Sequence, residues 1–202
     1  MDAAAGNHEN EMGNGPVGFA AYQAFFELPD SGAEAPLRGL WYSFTAGSVR
    51  VISLNNDDVC YQDGGNFYVH GYSGGAQRRW LETELADARR DPDVDWIVVC
   101  MHQPAISTAD RTNGADLGIR QQWLPLFDRY AVDLVVCGHE HHYERSHPIR
   151  GAQDTQTRTP YPVDTPRRAI DTTKGTVHTV IGGGGTSAPV EHRCSSPNPV
   201  AG

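Results

Sequence analysis

The sequence has no run of 18 apolar residues, so it predicts no membrane-spanning helix. It has no excess of basic charge: 16 Lys and Arg stand against 25 Asp and Glu, leaving a net charge of -9. That excludes a nucleic-acid scaffold, which needs a basic surface. It does not exclude a phosphorylated substrate, because bound cations can dominate the field of a small site. Residues Met1 to Gly6 lack the basic start and apolar core of a signal peptide. The four cysteines, Cys60, Cys100, Cys137 and Cys194, form no C-x-x-C pair and read as buried thiols rather than ligands or bridges. An HExxH zinc protease fails too, because Met12 and Tyr143 stand where the second histidine belongs. The H-x-H-x-D-H pattern of metallo-β-lactamases fails at Tyr143 and Glu144.

What is present fits one domain with a substantial core and many loops: 202 residues, 39% hydrophobic, with 22 glycines and 13 prolines. Phe19 to Leu28 carries Phe19, Tyr22, Phe25 and Phe26 at helical spacing, and Pro29 stops it. Leu40 to Phe44 and Val49 to Leu54 flank Ala46-Gly47-Ser48 and predict a hairpin. A long polar loop, Asn55 to Gly75, follows. Gln77 to Arg90 reads as a helix with Trp80, Leu81, Leu85 and Ala88 on one stripe. Ile119 to Tyr130 reads as a second helix, kinked or restarted at Pro125. Trp96 to Met101, Leu134 to Cys137 and Thr176 to Ile181 read as strands, the first two fully buried. Ser146 to Lys174 is expected to be an extended surface loop, and the segment beyond Pro189 a frayed tail. Alternation of strand and helix after a hairpin predicts layered α/β with a mixed sheet.

Each of the two buried strands runs directly into histidine. His102 follows Met101; Gly138 ends the other strand, and His139, His141 and His142 come next. Ligands in open α/β sheets bind beyond the carboxyl ends of the strands. In an extended segment residues two apart point the same way, so His139 and His141 can address one spot. Neutral imidazole is the commonest metal ligand among side chains. These residues together predict a metal site.

Gly6-Asn7-His8-Glu9, Val99-Cys100-Met101-His102 and Gly138-His139-Glu140-His141, in that order, resemble three of the five ordered motifs of the calcineurin-like metallophosphoesterases. Tyr143-Glu144-Arg145, Ser73-Gly74-Gly75 with Gln77 and Trp80-Leu81, and the late glycine-rich strand resemble the purple acid phosphatase branch. The resemblance implies a layered α-β-β-α sandwich with mixed sheets. It implies a phosphoester hydrolase with a binuclear metal centre, iron paired with iron, zinc or manganese, and a metal-activated water. Asn7, His102 and His139 would hold the second metal and His141 the first, while His8 would donate a proton or hydrogen bond to the phosphate. Glu140 and His142 are expected to be exposed or behind the ligands, and Tyr143 and Arg145 to support the loop. The substrate would be a small phosphorylated molecule, and the location secreted or cell envelope.

The pattern is incomplete. The family's D-x-G and G-D-x-x-Y motifs should precede Gly6, and only five residues do. Asp63-Gly64-Gly65 and Asp116-Leu117-Gly118 fit D-x-G literally, but both lie downstream and neither follows an apolar strand. Residues 1–189 therefore read as the C-terminal part of a catalytic domain, with 190–202 a disordered tail. The competing expectation is an inactive fragment that binds at most one metal ion weakly. In the loop after His102, Arg111 could grip a phosphate, but the preferred reading is a solvated arginine.

Overall fold

The computed structural model describes residues 3–10, 18–61, 71–109, 114–151, 160–165 and 168–184. The tail beyond 184 and Arg111 lie outside the described residues.

After a short helix α1 (Ala20–Phe25) come the hairpin strands β1 (Tyr42–Ala46) and β2 (Val49–Ser53). Gly47, with φ 60°, supplies the left-handed residue of their turn. Helix α2 (Ala76–Arg90) leads to β3 (Trp96–Met101). Helices α3 (Leu117–Gln122) and α4 (Leu124–Arg129) lead to β4 (Leu134–Cys137), with Pro125 in the first turn of α4, so the proline restarts the helix. Strands β5 (Tyr143–Arg145), β6 (Ile149–Arg150), β7 (Tyr161–Pro162) and β8 (Val177–Ile181) complete the order.

Six strands form one mixed sheet in the order β1-β2-β3-β4-β8-β5. The four central strands run parallel, and the two edges, β1 and β5, are antiparallel to their neighbours. Strands β6 and β7 pair separately inside the segment expected to be loop. Neither they nor β5 carries an apolar pattern that would mark a strand.

One face of the sheet joins the helices in a single core. Ile52, Ile97, Val99, Met101, Val135 and Val180 pack there with Leu81, Leu85, Ile119, Trp123 and Phe127. The other face differs. Strand β3 alternates rather than being buried throughout, and Trp96 is 47% exposed. Val49, Trp96, Val98, Leu134 and Val177 line a shallow apolar groove on this side, reached by Ile170 and Thr172. Among the described residues there is one large sheet and one helical layer, where the resemblance implies two of each. Parallel strands ordinarily have both faces covered. At α1, the N-cap Phe19 and Tyr22 are buried but Phe25 is 85% exposed, and the helix ends at Phe25, short of the Leu28 that the spacing suggests.

Candidate metal centre

The sheet delivers its histidines side by side. Cys100 and Met101 pair with Val136 and Cys137, and the ladder continues one step as Gly138 N–H donates to His102 O at 2.9 Å. Both histidine-bearing turns therefore leave the sheet at the same level. His102 Nε2 lies 3.2 Å from His139 Nδ1 and 2.9 Å from Asn7 Oδ1. The two rings meet edge to face, with centroids 5.0 Å apart.

The segment carrying Asn7 is brought there by two tyrosines. Tyr22 and Tyr42 both donate their hydroxyls to Ala3 O, at 2.7 and 2.9 Å. Asn7–Asn10 then forms a short 3-10 turn, and Glu9 closes it by accepting the Gly6 N–H at 2.7 Å. Gly6 faces the His102 ring so closely that a Cβ there would stand 3.0 Å from it.

Burial pushes the His102 imidazole down to about 4, and the neighbouring His139, His8 and His141 add to the effect. His139 is also lowered, first by burial; Glu140 opposes this while His8 and His141 reinforce it. Both rings are therefore neutral near pH 7, the form that can bind a metal. The donor chemistry fits an ion of intermediate softness: two imidazole nitrogens and one amide oxygen. Donors sharing an ion at about 2.0–2.1 Å stand roughly 3.0–3.4 Å from one another, close to the spacings found here. Among the described residues no three His, Cys, Asp or Glu side chains gather to hold an ion by themselves. The amide of Asn7 completes the trio.

His8 and His141 are exposed beside this trio, within electrostatic range of both half-buried rings. The segment after Gly138 is not extended, as the H-x-H reading required. Glu140 N–H donates to Gly138 O at 2.7 Å, and His142 N–H to Glu140 O at 2.8 Å. Each histidine of the pair is thus the apex of a three-residue turn. The left-handed residue is His139, with φ 64°, rather than Gly138.

Several residues that hold the site were not anticipated. Asn56, 1% exposed, accepts the N–H groups of both His102 and Gln103 on one side-chain oxygen, at 2.6 and 2.8 Å. It belongs to a buried polar knot. The Gln77 side chain accepts from Asn55 N–H and donates to Asn55 O and Asp58 Oδ2, while Ser73 donates its hydroxyl to Asp58 at 2.6 Å. This gives Ser73 and Gln77 a physical role: they lock the loop that positions His102. The same contacts dispose of a literal G-x-S-x-G at Gly71-Tyr72-Ser73-Gly74-Gly75, since the Ser73 hydroxyl is committed to a carboxylate and not to a histidine base. Glu140 is buried, at 2% exposure. Tyr143 is 67% exposed, and support for the loop comes instead from Glu144, which accepts Thr108 N–H and hydroxyl bonds and pairs with His142 at 3.2 Å. Polar residues in a loop give no periodic signal, so only Asn55-Asn56 beside a strand end could have drawn attention.

A half-buried trio of donors thus stands at the carboxyl end of the mixed sheet. Residues 3–143 match the calcineurin-like phosphoesterase model, and the chain belongs to that family. An uncharacterised Mycobacterium tuberculosis protein is 77% identical over 92% of this chain and 35% of its own length. Human acid phosphatase type 7 is 30% identical over 89% of this chain and 39% of its own. The purple acid phosphatase of Glycine max is 32% identical over 70% of this chain and 28% of its own. The branch is that of the purple acid phosphatases. In fold the chain is similar to the yellow lupin purple acid phosphatase, with a TM-score of 0.66 and 24% identity over 94% of this chain and 33% of that one. The chain spans about a third of the length of these relatives.

Proposed function

We propose that this chain carries the Asn7, His102 and His139 side of a binuclear, metal-dependent phosphoester hydrolase of the acid phosphatase type. The observation that supports it is the meeting of Asn7 Oδ1, His102 Nε2 and His139 Nδ1 within 2.9 and 3.2 Å steps, with both rings held neutral. Iron, zinc or manganese suits such donors. A metal pair supplies Lewis-acid charge to the phosphoryl oxygens and an acidified water, the main needs of phosphoryl transfer.

This chain's own residues do the rest. Asn7, His102 and His139 form one fixed face, and Asn56 and the Ala3 anchor spare that face any reorganisation on binding. His8, exposed beside the trio, would hydrogen-bond a phosphate oxygen and hand a proton to the leaving group. His141 would hold the first metal. Its expected co-ligands, an aspartate and a tyrosine from D-x-G and G-D-x-x-Y, have no counterpart in this sequence. The chain by itself therefore binds one ion and hydrolyses slowly or not at all. The substrate is a small phosphorylated molecule, and the location is the cell envelope or outside the cell.

Metal analysis and hydrolysis of an aryl phosphate test this, with His102→Ala and His139→Ala alongside the natural sequence. One ion per chain, lost in both variants, is expected. Two tightly held ions would overturn the single-ion reading, and equal metal content in all three proteins would overturn the site.

A further inference from the structure

Glu140 stands between His139 and His141, and its backbone serves both. Its N–H closes the turn over His139, and its carbonyl closes the turn over His141, at 2.7 and 2.8 Å. A three-residue turn with a positive φ at its apex is the rare, strained form. His139, with φ 64°, occupies that apex without the freedom of glycine. Strain of this kind persists only where the surroundings over-determine it.

The surroundings here are specific. The Glu140 carboxylate is buried and accepts the Gly114 N–H at 2.6 Å, which ties the turn to the segment ahead of α3. Its carbonyl is pressed on Gly182, where a Cβ would stand only 2.0 Å from the oxygen. Side chain, N–H and carbonyl are therefore all fixed, in three directions.

We propose that Glu140 is a positioning residue of the metal centre: its buried carboxylate, anchored on the Gly114 N–H, holds the paired turns that aim the His139 and His141 imidazoles. The inference rests on the metal reading of those histidines. It needs an acceptor at Glu140, not a charge. Glu140→Gln keeps an oxygen for Gly114, whereas Glu140→Ala leaves that N–H unpaired and frees the turn to relax.

The test uses the 202-residue chain in two arms. Without metal, cross-peaks between the His102 and His139 rings are read by NMR. They should persist in the natural sequence and in Glu140→Gln and vanish in Glu140→Ala. In the second arm zinc is titrated. Glu140→Gln should bind within about threefold of the natural sequence, and Glu140→Ala about 10–100-fold more weakly, the usual cost of losing a group behind a ligand. Rescue by glutamine separates positioning from a general loss of stability. The proposal is overturned if Glu140→Ala keeps both the ring contact and the zinc affinity, or if Glu140→Gln is as impaired as alanine. A natural sequence that binds no zinc overturns the metal reading, and the ring contact then decides the role of Glu140 alone.

Discussion

Asn56→Ala removes one side-chain oxygen that two backbone N–H groups share. Both groups, on His102 and Gln103, lie where the side chain covering them is 1% exposed, so water cannot replace the oxygen without rearrangement. An unsatisfied buried donor costs about 1–3 kcal/mol. Two of them give about 3–4 kcal/mol after partial relaxation. At roughly 2–4 °C per kcal/mol for a chain of this size, Tm should fall by about 10 °C. Asn56→Asp keeps the acceptor and gives up only the 3.4 Å donation to Gln103 O, so it should recover more than half of the loss. Urea unfolding with a common m-value is the assay, and zinc affinity, expected to fall about 10–100-fold in the alanine variant, is the companion measurement. An alanine variant within about 0.5 kcal/mol of the natural sequence would refute the reasoning, because the two donors would then have other partners.

Acid should weaken the fold through His178. Burial first, and the Arg120 charge second, push its imidazole down to about 3, whereas an unfolded histidine titrates near 6.5. The unfolded chain alone takes up that proton between the two values, so stability is full above about 6.5 and falls as the pH drops toward 3. About 2 kcal/mol should be gone by pH 5; urea titrations at pH 7 and 5 check this, with His178→Gln flattening the difference. Gly182→Ala should cost about 1–3 kcal/mol by overpacking against the Glu140 carbonyl, and a thermal melt together with zinc affinity would register it. Asp133→Ala strips partners from Ile97 N–H, Thr172 hydroxyl and the Arg89 guanidinium at once. Breaking a pair of this kind costs about 3–5 kcal/mol, measurable by urea unfolding, while isosteric Asp133→Asn should lose less.

The long periodic elements were legible. The stripe of Leu81, Leu85 and Ala88, the apolar run ahead of His102 and the hairpin around Gly47 each announce themselves through spacing. The histidines could be picked out because each follows a strand end, and the ordered motifs tie them to Asn7 across more than 90 residues. Strand β5 escaped notice because Tyr143-Glu144-Arg145 pairs through its backbone, with no apolar side chain to advertise it. Asn56 and Glu140 escaped for a related reason. Their roles depend on which N–H groups lie opposite, and tertiary placement alone decides that. The turn at His139 carried no signal either, since a glycine stands next to it and yet the histidine takes the left-handed conformation.

The sheet face that no described helix covers gives the molecule an optical reporter. Trp41 and Trp123 are enclosed, at 2% and 0% exposure, and their emission belongs to the interior. Trp96 sits on the groove, half in water, and the fourth tryptophan, Trp80, is partly buried against the helical core. Whatever seats on that face must expel solvent from its indole. A blue shift present in the natural sequence and absent in Trp96→Phe would then signal occupancy of the face in real time, without a label.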